Sequence, residues 1–263
     1  MAESFNQQRD ALRRRSLRMG TLVEELVREG TDSVFTNNVV RAEAVIARDA
    51  EVDAEEVQIE AEVVRLLAAH PPAGPDVRLL CAVLKINNDL ERIADCAVNI
   101  AQRVRQIDGR IPAGADRDLR LMDGLVRQML RWVLQAYGNQ DVDLARRVLR
   151  NEETVDALNG KIVQELTADI TRRAEDVVAD LDLIIVAKNI ERIADHATNV
   201  AEDVVFTVTG EIIRHSGRWS KGGGNGTANG TAANGTGNGP VTGAPAGAPA
   251  GAPPAVPPMH AAR

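Results

Sequence analysis

Aromatic side chains make up only 2% of this 263-residue chain, with two Trp, one Tyr and three Phe. A β-sandwich, which leans on aromatic and β-branched strands, is poorly supplied by such a composition. Hydrophobic residues still reach 44%, so the core has to be built from Ala, Val, Leu and Ile, side chains that suit close-packed helices. Cysteine is limited to Cys81 and Cys96. Both fall on one expected helix, about four turns apart and too distant to bridge, and both are expected as reduced packing residues. No apolar run approaches the ~18 residues of a membrane span, and no signal-peptide core is present. A cytoplasmic protein is expected.

Catalytic machinery is equally scarce. The chain has no GxxxxGK[ST] and no GxGxxG beside a strand, so a phosphate cradle is lacking. Of four histidines, His215 and His260 lie at or beyond the expected fold, His70 abuts a Pro-rich loop, and His196 follows Asp195. No nucleophile-and-base pairing emerges. Di-iron carboxylate enzymes use Glu-x-x-His pairs, and no Glu stands three residues before any His here. Positive charge is short too: the net charge is −7, against a dedicated nucleic-acid binder, which needs a clustered basic face. The single dense basic run, Arg13, Arg14, Arg15 and Arg18, reads as the solvated start of a helix.

What is present is long, nearly uninterrupted helical pattern. Breakers cluster at His70-Pro71-Pro72-Ala73-Gly74-Pro75, at Gly109 to Gly114, and after Ser220. Six helices are expected, at about 4–29, 36–69, 76–107, 116–137, 141–173 and 176–210. Residues 219–263, rich in Gly, Asn and Thr and then in Pro and Ala, cannot bury enough apolar surface to offset ordering entropy and are expected as a disordered tail. Its three Asn-Gly-Thr triplets fit the glycosylation pattern, but with no secretory signal they are not expected to be used.

Sliding the chain against itself exposes a duplication. At an offset of 100 residues, Glu91-Arg92-Ile93-Ala94-Asp95 recurs as Glu191-Arg192-Ile193-Ala194-Asp195, with Ala97, Asn99 and Ala101 also repeated. At an offset of 103, Asp49 and Asp53 face Glu152 and Asp156. The fold expected is all-α, two tandem pseudo-symmetric three-helix bundles at 1–110 and 111–218.

The repeated acids come in i,i+4 pairs, a spacing that costs a few tenths of a kcal/mol when charges are alike. Counted from the hairpin loops, Asp49 and Asp53 stand level with Glu91 and Asp95, and Glu152 and Asp156 stand level with Glu191 and Asp195. Four carboxylates at one height require a cation or arginines. One reading is a metal site in each half, with oxygen ligands suited to Mg²⁺, Mn²⁺, Ca²⁺ or iron. The other is ordinary surface charge paired with Arg48, Arg92, Arg150 and Arg192. On the third helix Ile86, Leu90, Ile93, Ala97, Ile100 and Val104 form a heptad seam, and a helical wheel sets Glu91, Asp95 and Asn99 roughly opposite it, facing solvent.

Two three-helix units, each with an acidic pair on its second helix and Glu-Arg-Ile-Ala-Asp on its third, resemble the PhoU family. The segments Asn88 to Asp95 and Lys188 to Asp195 carry the likeness, which runs from about Ser16 to Phe206 and leaves the tail without a counterpart. The resemblance implies a non-enzymatic, often dimeric regulator that restrains phosphate uptake and the phosphate-starvation two-component response. Its implied partners are the ATP-binding subunit of a phosphate ABC transporter and a phosphate-sensing histidine kinase, at the inner face of the membrane. It also implies metal binding through Asp49, Asp53, Glu91 and Asp95, and through Glu152, Asp156, Glu191 and Asp195, with iron, zinc, manganese or magnesium as candidate ions. Some members of the family are metal-free, so a metal-free helical adaptor stays open as the alternative, with a di-iron enzyme behind it.

Overall fold

The computed structural model describes residues 4–69, 74–172 and 176–213. Among these are eight α-helices and no strand: α1 (Phe5–Phe35), α2 (Val39–Ala69), α3 (Pro75–Ala101), α4 (Val104–Ile107), α5 (Ala113–Asn139), α6 (Val142–Leu149), α7 (Glu152–Arg172) and α8 (Val177–Thr209). The expected tail lies outside the described residues, as do His70, His215 and His260.

Local chemistry sets the ends. Ser4 caps α1 through a box in which its Oγ accepts from the Gln7 amide and the Gln7 side chain accepts from the Ser4 amide. Pro75 opens α3, where its missing N–H costs nothing. Gln140, in the left-handed region, ends α5, and Asp141 at once caps α6 by accepting from the Leu144 amide at 2.9 Å.

Three expected helices differ from those observed. The first runs on past 29 to Phe35, because Gly30 is a contact residue and not a stop: a Cβ there would sit 2.9 Å from the Ala97 carbonyl oxygen of α3. The third breaks after Ala101, giving α4. The fifth breaks at Arg150–Asn151 into α6 and α7, where the Asn151 side chain donates to the Arg147 carbonyl.

α1, α2 and α3 pack together, as do α5, α6, α7 and α8, while α3 lies against α8 at the centre. Lys85 reaches Asp203 and Arg103 reaches Asp182, so α3 and α8 run antiparallel. The expected seam holds, with Ile86, Leu90, Ile93, Ala97, Ile100 and Val104 at most 1% exposed. The repeat extends to the outer helices: Met19, Val23, Leu26 and Val27 of α1 match Met122, Val126, Met129 and Leu130 of α5, and all are buried. Arg13 and Arg15 are not merely solvated. Arg13 donates to the Tyr137 and Gly138 carbonyls near the end of α5, and Arg15 pairs with Glu55 and Glu62 of α2. The basic run therefore ties α1 to two neighbours. Cys96 is buried, with its thiol pushed up to about 11 by burial, which leaves it unreactive. Cys81 is exposed, contrary to the packing role expected of it.

Candidate functional site

Two grooves carry the repeated acids, one between α2 and α3 and the other between α7 and α8. In the first, Asp49 and Asp53 stand one turn apart on α2, and Glu91 and Asp95 one turn apart on α3. Their convergence shows in the charges that act on Asp49 and Glu91. Burial raises Asp49, and the negative charges of Asp53 and Asp95 raise it further. Burial also raises Glu91, followed by Asp95, with Glu56 and Asp53 adding to the effect and Arg92 opposing it. The two helices thus press one pool of negative charge together, as the hairpin count required. Glu56, a turn beyond Asp53, joins that pool; its i+3 spacing from Asp53 was the available signal.

The second groove repeats the arrangement more tightly. Asp195 is pushed up to about 6 by burial, then by Glu191, Asp156 and Glu152, with Lys188 pulling the other way. Glu152, Asp156 and Glu191 thus all act on Asp195.

The expectation that these acids face open solvent is corrected only in part: the Asp95 side chain is 43% exposed, but the glutamates are more enclosed. The Glu91 side chain is 24% exposed and that of Glu191 only 12%. The wheel placed them opposite the seam, which would be solvent on a helix packed on one side. α3 and α8 are instead central helices with neighbours on several sides, so the face opposite the seam opens into a groove.

Arginine neutralisation is only partly realised. Arg92 contacts Glu91 at 3.4 Å and Asp95 at 3.3 Å, but Arg48 turns away to Glu25 at 3.1 Å and Glu51 at 3.6 Å. In the second groove Lys188 lies 2.5 Å from Glu191. Among the described residues no group of three or more acidic, histidine or cysteine side chains stands gathered around an ion position. The donor chemistry still suits a hard cation: carboxylates only, with Asp49, Glu91 and Asp195 each raised by burial and by neighbouring carboxylates, a repulsion that a cation would relieve. A bound ion would neutralise this charge and bridge the paired helices.

His196, adjacent to Asp195, points elsewhere. Its Nδ1 lies 2.9 Å from Asp89 on α3, and Asn199 donates to the same carboxylate oxygen at 3.2 Å. The repeat counterparts of this trio are Cys96, Asn189 and Asn99.

The PhoU domain model matches residues 16–104 and again 119–204, one copy per repeat. A phosphate-specific transport system accessory protein PhoU homolog of Pseudomonas putida is 33% identical over 219 residues, covering 82% of this chain and 85% of that protein. A homolog of the same description from Caulobacter vibrioides is 36% identical over 195 residues, covering 74% and 85%. Among solved structures, PhoU from Pseudomonas aeruginosa superposes with a TM-score of 0.76 at 31% identity, covering 79% of this chain and all of that one. The phosphate transport system regulatory protein PhoU from Streptococcus pneumoniae gives 0.74 at 25% identity, with 80% and 99% covered. A duplicated helical unit, matched twice by one domain model and along nearly the whole length of these relatives, leaves one conclusion: the chain belongs to the PhoU family.

Proposed function

We propose that this protein is a non-enzymatic negative regulator of phosphate uptake and of the phosphate-starvation two-component response. It acts as a homodimer, bridging the ATP-binding subunit of a phosphate ABC transporter to a phosphate-sensing histidine kinase at the inner membrane face. No helix among the described residues is long and apolar enough to cross a membrane; in this reading the protein is held there by its partners. The relatives' description as accessory proteins of a phosphate-specific transport system supports this role.

The observation that carries the metal part of the reading is the pair of acidic clusters in which Asp49, Glu91 and Asp195 are raised by burial and by the carboxylates around them. Asp49, Asp53, Glu91 and Asp95 would hold ions in one, and Glu152, Asp156, Glu191 and Asp195 in the other. Iron, zinc, manganese and magnesium are the candidate ions. Neutralisation would lock α2 to α3 and α7 to α8, fixing the surface that the partners read. Replacing Glu91, Asp95, Glu191 and Asp195 together by Ala should abolish metal retention and release phosphate-dependent repression. Unchanged metal content together with unchanged repression would sink the proposal.

A metal-free adaptor is the second reading, favoured by the pairing of Arg92 with Glu91 and Asp95 and of Lys188 with Glu191. Elemental analysis of protein purified without an affinity tag separates the two.

A further inference from the structure

Helix α2 has two apolar faces. Val52, Ile59, Val63 and Leu66 are sealed in the core. On the opposite side Ala50, Ala54, Val57, Ala61, Val64 and Ala68 follow one another at spacings of four, three, four, three and four, and every one is exposed. This is an uninterrupted a/d seam laid along the outside of the molecule. Val57 is 61% exposed and Val64 57%. A solvated helix face gains nothing from valine, which is a poorer helix former than Ala, Glu or Lys. Nor does the repeat impose the pattern: the matching positions on α7 are Glu153, Ala157, Gly160, Gln164, Thr167 and Thr171.

We propose that this seam is the homodimer interface, with α2 packed antiparallel against α2 of a second copy. The inference rests on the dimeric reading above and assigns it a face. Antiparallel pairing about a two-fold axis near Ile59 sets Ala50 against Ala68 of the second copy, Ala54 against Val64, and Val57 against Ala61. Small residues meet larger ones or each other, which lets the helices approach closely. Charge selects the same register. Glu51 and Arg65, both exposed on one flank of the seam, come opposite each other, and the two-fold makes the pair twice. The flank that borders the first acidic groove brings Glu60 against its own copy, the one repulsive contact. A seam spanning ~27 Å of helix covers less than the roughly 800 Å² per partner of a standard interface, so the dimer is reversible and concentration-dependent.

Sedimentation velocity of the full chain across a concentration series tests this. The wild type should shift from monomer to dimer. Val57→Glu with Val64→Glu, two exposed positions, should weaken dimerisation at least tenfold while the circular dichroism spectrum stays unchanged. Glu51→Arg or Arg65→Glu alone should weaken it, and the double exchange should restore it. Glu60→Gln should tighten it. A wild type that is monomeric throughout overturns both the dimeric reading and the seam. A dimer indifferent to Val57→Glu/Val64→Glu and to the charge exchange overturns the seam alone. Neither result bears on repression by the acidic grooves, which their own substitutions test.

Discussion

Asp89 of α3 meets His196 of α8 at 2.9 Å, in the interior seam between the two repeats. Asp89 is 7% exposed and also accepts from Asn199 at 3.2 Å. Removing a buried acceptor strands its donors, at a cost of about 1–3 kcal/mol. Asp89→Ala should therefore lower unfolding stability by that amount in a urea titration, and Asp89→Asn, which keeps an acceptor, by distinctly less. Equal losses would mean that the carboxylate acts only by filling space.

The raised pKa of Asp195 makes a signed statement about pH. With its folded pKa pushed up to about 6 from an ordinary value of 3.8, the folded state holds this proton longer than the unfolded chain does. The associated stability is complete below about pH 4 and is lost as pH rises through about 6. In metal-free protein, Asp195→Asn should raise Tm at pH 7 and make little difference at pH 4. An Asn variant less stable than wild type at pH 7 would contradict the mutual repulsion described for this groove.

Arg127 on α5 sits in a buried polar knot, with Nε 2.9 Å from Asp123 and Nη2 2.6 Å from Asp32 of α1. Burial raises the Asp123 carboxyl against the pull of Arg127. Deleting one partner of a buried pair commonly costs about 3–5 kcal/mol. Arg127→Ala should show a loss of that order, and Arg127→Ala with Asp123→Ala should lose less than the sum of the two single changes. Strict additivity in denaturant unfolding would show that the two side chains are not coupled.

Gly30 allows α1 to touch the α3 backbone, since an added Cβ would stand 2.9 Å from the Ala97 oxygen. Backbone gives way less easily than a side-chain tip. Gly30→Ala should destabilise by about 1–3 kcal/mol despite the better helix propensity of alanine. A gain in Tm would show that α1 shifts freely.

The helices and the duplication were readable because both rest on local periodicity. The seam from Ile86 to Val104 is a heptad, and Glu91-Arg92-Ile93-Ala94-Asp95 returns letter for letter. The breaks at Ala101 and Arg150 were not readable, since neither carries Gly or Pro. The extension of α1 past residue 29 was not readable either, since the contact of Gly30 with the Ala97 carbonyl depends on a helix approaching from elsewhere.

By itself the order of residues determined that the protein is helical, that it is double, and that acids on adjacent helices come level within each hairpin. Those properties follow from 3.6-residue periodicity and chain connectivity. Tertiary structure alone decided that α3 and α8 lie at the centre, because packing between elements remote in sequence leaves no periodic trace. That placement turns the acids' outer face into a groove, removes water from Glu191 and Asp195, and pushes up the Asp195 carboxyl. It also leaves α2 at the periphery with an apolar seam that is exposed among the described residues.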